Sequence, residues 1–166
     1  MIASASLLVL LAAAPGPAAT DAAASKATLA DMRNVGTAMM SWLTDQIADL
    51  PEPPGGWSPP DSVDPSDPVD WSHCPPISRD DLRTILVPAY ILEIPQEDGW
   101  GSDLEFCLET LDFNRSRYLV GLRSPGRDGL FERASHPPGA FGRDDFDADV
   151  VWLDGFFARW PDNAER

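Results

Sequence analysis

The sequence predicts an α+β fold in which a long N-terminal helix packs on a small antiparallel sheet. Three observations predict it. Apolar residues between positions 25 and 50 recur at three- and four-residue steps, the period of one helix face. Two later stretches alternate apolar and polar residues with the period of a strand, and turn residues separate them. The chain has 166 residues, 43% of them hydrophobic and 23% charged, which suits one modest globular domain.

The elements follow in chain order. The run Leu7-Leu8-Val9-Leu10-Leu11-Ala12-Ala13-Ala14 is too short to cross a bilayer and has the length of a signal-peptide core. Pro17-Ala18-Ala19 or Ala22-Ala23-Ala24 offers the small residues of a cleavage site, although no Lys or Arg precedes the apolar run. Residues 1–24 are therefore read as a signal peptide and 25–166 as the mature domain. The protein is expected to be exported, periplasmic or envelope-associated, without a stable membrane span. In the long helix, Leu29, Met32, Gly36, Met39, Leu43 and Leu50 form the apolar stripe and Ile47 widens it. Pro51 ends the helix, because its ring cannot continue the hydrogen-bond ladder.

Residues 51–76 are crowded with Pro, Gly, Ser and Asp and read as one long surface loop, pinned to the body by Trp57 and Trp71. Ser78 is a helix N-cap with Asp81 three positions on, and Leu82, Ile85 and Leu86 share a face, so a short helix runs to about Val87, where Pro88 stops it. Leu104, Phe106 and Leu108, then Tyr118, Val120 and Leu122, mark two strands of a hairpin, with Asp112-Phe113-Asn114-Arg115 as its turn. A third strand is expected around positions 150–157.

Composition restricts function more than it assigns one. The net charge of -15 opposes nucleic acid and anionic lipid surfaces, since affinity for phosphate backbones comes from Lys and Arg displacing counterions. Much of the acidity lies between Asp45 and Asp81, where Arg79 is the sole basic residue. Cys74 and Cys107 either bridge, as an exported protein permits, or are two buried thiols. His73 beside Cys74 is too isolated to read as a metal pair. No nucleophile elbow, zinc-protease helix or phosphate-binding glycine loop is present. Carboxylate pairs such as Asp145 with Asp149 or Glu105 with Asp128 leave a secreted hydrolase as the alternative to a non-enzymatic module. The loop Ser124-Pro125-Gly126-Arg127-Asp128-Gly129 and the cluster Asp144-Asp145-Phe146-Asp147-Ala148-Asp149 are rich in hard oxygen donors, the chemistry of a calcium site.

Several of these segments resemble one family in the same order. Ala27-Thr28-Leu29-Ala30-Asp31-Met32-Arg33-Asn34-Val35-Gly36-Thr37-Ala38 resembles the helix of the major pseudopilin, the G subunit, of bacterial type II secretion systems. Leu86-Val87-Pro88-Ala89-Tyr90 with Ile94-Pro95 resembles that family's short helix leading to its sheet. Asp98-Gly99-Trp100-Gly101 resembles its Asp-Pro-Trp-Gly turn, with Gly99 in place of proline. The segment 124–129 with Asp147-Ala148-Asp149-Val150 resembles its calcium loop.

The resemblance implies a pilin-like fold and a structural, non-enzymatic role in a type II secretion-like or envelope assembly. Its partners would be other secretion-system or envelope proteins or further copies of itself. It also implies calcium held by Asp128, Asp147 and Asp149 with carbonyls near Ser124 and Pro125; Asp144 and Asp145 are substitute ligands. Pseudopilins begin with a basic leader, a glutamate-containing processing site and about twenty apolar residues. The apolar run here is short and followed by prolines, which implies a relative with the globular head and without the polymerising stem. A start further upstream would instead make it an ordinary pseudopilus subunit.

Overall fold

The structure is a computed structural model and describes residues 17–48, 67–109 and 119–162. Helix α1 (Pro17–Ala48) opens on a proline, which suits the first helical position because the amide hydrogen it lacks has no acceptor there. It begins eight positions before the expected start at 25, so both candidate cleavage tripeptides lie within it. Helix α2 (Arg79–Leu86) is capped as the sequence predicts: the Ser78 Oγ accepts the Asp81 N–H at 3.1 Å and donates to the Asp81 carboxylate at 2.6 Å.

Among the described residues, eight strands follow in chain order as β1 (Val69–Asp70), β2 (Pro76–Ile77), β3 (Glu105–Leu108), β4 (Val120–Ser124), β5 (Ser135–His136), β6 (Gly139–Phe141), β7 (Val150–Leu153) and β8 (Phe156–Pro161). Six of them form one sheet in the order β2-β3-β4-β7-β8-β6, and β1 pairs with β5 separately. The architecture is α+β as expected, but the sheet is mixed: β6 runs parallel to β8, while every other pair is antiparallel. The parallel edge arises because the acidic segment 142–149 carries the chain from the outer edge beyond β8 back to the middle of the sheet, beside β4.

The expected third strand is in fact a hairpin. Asp154 and Gly155 both have positive φ, 46° and 104°, the backbone that lets two antiparallel strands join through two residues. The Asp154 Oδ1 also accepts the Leu119 and Val120 amides at 2.9 and 3.0 Å, tying the turn to the neighbouring strand. The predicted turn at 112–115, Tyr118, Trp57 and the loop from 51 to 66 lie outside the described residues. The remainder of that loop, 67–76, carries β1, a 3-10 turn (Trp71–His73) and the start of β2.

Alternation along the strands sorts the side chains onto two faces. Phe106, Leu108, Val120, Leu122, Val150 and Trp152 join Leu29, Met32, Val35, Ala38, Met39 and Leu43 of α1 and Leu82 and Leu86 of α2 in the main core. Cys107, Val151, Leu153 and Ala158 pack on the other side with Val69, Trp71 and Cys74. There Cys74 and Cys107 form a disulfide, with Cα atoms 5.6 Å apart and a separation of 33 in sequence. Closing a loop of that length contributes roughly 4 kcal/mol by restricting the unfolded chain. Among the described residues, no helix is long and apolar enough to cross a membrane.

At Gly36 the helix lies close against the sheet. A Cβ at this position would lie 2.5 Å from the six-membered ring of Trp152, itself 3% exposed. The stripe position read from the sequence is thus a contact that needs the absence of a side chain. Gly36→Val is expected to lower stability by about 1–3 kcal/mol through overpacking, read from urea denaturation, with Val35→Ala as the contrasting cavity variant.

Candidate functional site

Two polar centres lie on opposite sides of the sheet. The first joins the N-terminal half of α1 to three loops. Asp98, 7% exposed, accepts the Trp100 and Ser102 amides on Oδ1 at 2.9 and 3.0 Å, and the Ser124 hydroxyl on Oδ2 at 2.6 Å. Ser124, at the end of β4, in turn accepts the Gly126 amide at 3.1 Å. The Gly99 amide donates to the Thr28 Oγ1 at 2.9 Å, which seats the 98–101 turn on α1. The Ser124–Asp98 and Gly99–Thr28 bonds join residues that the sequence places in separate motifs.

Arg127 completes this centre. Its Nε and Nη2 donate to the two carboxylate oxygens of Asp147 at 2.8 and 2.9 Å, and its Nη1 donates to Asp21 of α1 at 3.1 Å. Asp21 also accepts the Trp100 indole N–H at 3.2 Å, and Trp100 and Phe146 meet in a tilted pair with centroids 6.2 Å apart. The Arg127 amide donates to the Phe146 carbonyl at 2.7 Å. Gly126 has φ 75°, and a Cβ there would lie 2.6 Å from that same carbonyl. The loop at 124–129 therefore rests backbone to backbone on the segment 146–148. The hydrogen bonds to Arg127 hold the Asp147 carboxyl below the usual carboxylate range.

The second centre is buried beneath β1 and β5. His136 and Asp149 are 1% and 0% exposed in their side chains, with His136 Nε2 and Asp149 Oδ2 3.4 Å apart. Asp149 accepts the Glu132 amide at 3.2 Å, whereas neither imidazole nitrogen has an aligned hydrogen-bond partner. Two guanidinium groups border the pair. Arg123 binds Glu105 through Nε and Nη2 at 2.8 and 2.6 Å, donates to the Arg133 carbonyl at 3.1 Å, and lies over Phe131 and Trp71. Arg159 reaches Glu132 at 3.1 Å. Burial lowers the His136 pKa to about 4, reinforced by Arg159 and Arg123, and raises that of Asp149 to about 6 against the Glu132 hydrogen bond. Near neutral pH the pair is a neutral imidazole beside a carboxylate.

The nominated calcium ligands are engaged separately. Asp147 is held by Arg127, Asp149 faces His136 on the inner side, and the exposed Asp128 accepts the Leu130 amide at 2.9 Å. Ser124 is buried with its hydroxyl committed to Asp98, and Pro125 is buried beside it. The substitutes Asp144 and Asp145 are exposed. Among the described residues, no group of three His, Cys, Asp or Glu side chains is placed to hold a metal ion. The nominated acid pairs are also engaged apart, Glu105 with Arg123 and Asp149 with His136. An open groove of about 490 Å³ lies elsewhere, between α1 and residues 90–95, lined by Asp31, Asn34, Thr37, Leu92 and Glu93 among others.

Sequence reasoning missed Asp21, His136 and the two bordering arginines. His136 carries no local signal, because its partner Asp149 lies thirteen positions further along the chain, a distance no local pattern reports. Asp21 fell within the stretch assigned to the leader. No protein-family model matches the chain, and comparison with curated proteins and with solved structures found no match either.

The buried pair makes opposed contributions to stability with pH. Asp149, its pKa raised from 3.8 to about 6 by folding, stabilises the fold at low pH and loses that contribution as pH rises through 6. His136, lowered from 6.5 to about 4, contributes fully above 6.5 and loses it as pH falls towards 4. Between those limits the two slopes oppose each other. Relative to the wild type, His136→Gln should lose stability as pH rises from about 4 to 6.5, and Asp149→Asn should lose it as pH falls from about 6 to 3.8. Each slope reaches at most about 1.4 kcal/mol per pH unit, measurable by denaturant titration across the range.

Proposed function

We propose that the protein is a non-enzymatic, exported, pseudopilin-like module that serves a structural or interaction role in a secretion or envelope assembly. One observation carries this reading: three of the segments that resemble the major pseudopilin in sequence, the helix run, the 98–101 turn and the loop pair 124–129 and 147–150, meet at a single junction. Thr28 of the helix run bonds Gly99 of the Asp-Gly-Trp-Gly turn, Asp98 of that turn bonds Ser124, and Arg127 of the Ser124 loop bonds Asp147. Segments that are short and weak apart are, together, the parts of one structural unit, as a shared ancestry of the motif set would require.

Other features support the same reading. The disulfide fits an oxidising compartment, since thiols are kept reduced in the cytosol. The helix laid on a sheet is compatible with a pilin-like head. The polar centres described above consist of carboxylates neutralised by arginines or set against a buried imidazole, and such groups stabilise a scaffold. The partners expected are other envelope or secretion-apparatus proteins, with further copies of this chain as the second class.

In-cell crosslinking followed by mass spectrometry of the envelope fraction tests this. The expected result is recovery of secretion-apparatus or envelope subunits crosslinked to a chain whose Cys74 and Cys107 are oxidised. A chain recovered from the cytoplasm with both thiols free and no envelope partner would contradict it.

A further inference from the structure

We propose that Arg127 replaces the divalent cation implied by the pseudopilin resemblance, so that the loop pair 124–129 and 144–149 is closed by a guanidinium and is independent of calcium. The inference uses the reading above only to say where an ion would be expected; the contacts stand without it. A calcium ion in such a loop gathers carboxylates from separate segments and cancels their mutual repulsion. Arg127 meets both requirements with a charge carried by the chain. It grips both oxygens of Asp147 in the paired geometry that makes guanidinium–carboxylate contacts strong, and with its remaining nitrogen reaches Asp21 on α1. Three segments distant in sequence are thereby tied at one point.

The donor set agrees. Of the three carboxylates that would hold the ion, one is bound by Arg127, one is buried against His136 and one accepts a loop amide. The loop backbone has also closed directly on its neighbour, with the Arg127 amide on the Phe146 carbonyl at 2.7 Å and Gly126 against the same oxygen. The ring of Phe146 lies 6.0 Å from the guanidinium, and with Trp100 it walls one side of the contact. A guanidinium differs from a bound ion in one testable respect. It cannot be chelated, and because its groups are partly exposed, salt weakens it.

Thermal melts and amide exchange of the full chain, in calcium and in chelator, decide the matter. The wild type is expected to melt at the same temperature and to show the same exchange at residues 124–129 and 145–149 in both conditions. Arg127→Gln and Asp147→Asn should each melt several degrees lower and exchange several-fold faster in those two segments. The double variant should be no worse than either single one, because both remove the same contact. Raising the salt concentration should narrow the gap between wild type and Arg127→Gln. A wild-type melting temperature that rises with calcium and loses that response in Asp128→Ala would overturn the proposal, as would additive effects of the two substitutions. Either outcome leaves the envelope-partner reading to its own crosslinking test.

Discussion

The seating of α1 across β4 and β7, with the Trp152 ring filling the space that Gly36 leaves, is the contact on which the rest of the molecule depends. Both surfaces are apolar and neither can face water at low cost, so together they set the position of the helix along the sheet. The residues of α1 that precede Gly36 are then placed by helical geometry. Thr28 and Asp21 lie about two and four turns away and therefore arrive over the end of the sheet from which the 98–101, 124–129 and 144–149 segments project. Shifting the helix by a single turn would move Thr28 away from Gly99 and Asp21 away from both Trp100 and Arg127.

The two polar centres solve different problems. At the α1 junction, charges sit at a partly wet surface, and matching of acids with a guanidinium gives orientation to loops that have few apolar side chains of their own. Behind the sheet, His136 and Asp149 are fully buried, and burial is the first cause of both shifts, followed by Arg159 and Arg123 for His136 and by Glu132 for Asp149. The disulfide lies on this second side, where the core of Val69, Trp71, Val151, Leu153 and Ala158 is small. A covalent link is most useful where apolar burial is least able to hold a covering segment in place.

How much of this was legible in the sequence depends on the range of the interaction. The long helix was visible because its stripe has a local period, and α2 because Ser78 and Asp81 form a cap within four residues. Strands β3 and β4 were visible as alternating runs. The Asp154-Gly155 hairpin carried a local signal too, a favoured two-residue turn pair between apolar runs, and it was passed over in favour of one longer strand. The parallel pairing of β6 with β8 had no such signal, since it follows from a crossover. The site was the least legible part. Residue type showed that Asp128, Asp147 and Asp149 could bind a cation, but not that Arg127 faces Asp147 or that Asp149 points inward to His136. Spacing along a loop does not fix the direction of its side chains.

The most direct measurement of this account is a crystal structure of the protein grown from calcium-containing solution. The account predicts Trp152 against Gly36, Thr28 bonded to the 98–101 turn, and the Arg127 guanidinium lying on Asp147 and Asp21 with no ion between the loops. Electron density for calcium coordinated by Asp128 and Asp147, with Arg127 turned out to solvent, would contradict it.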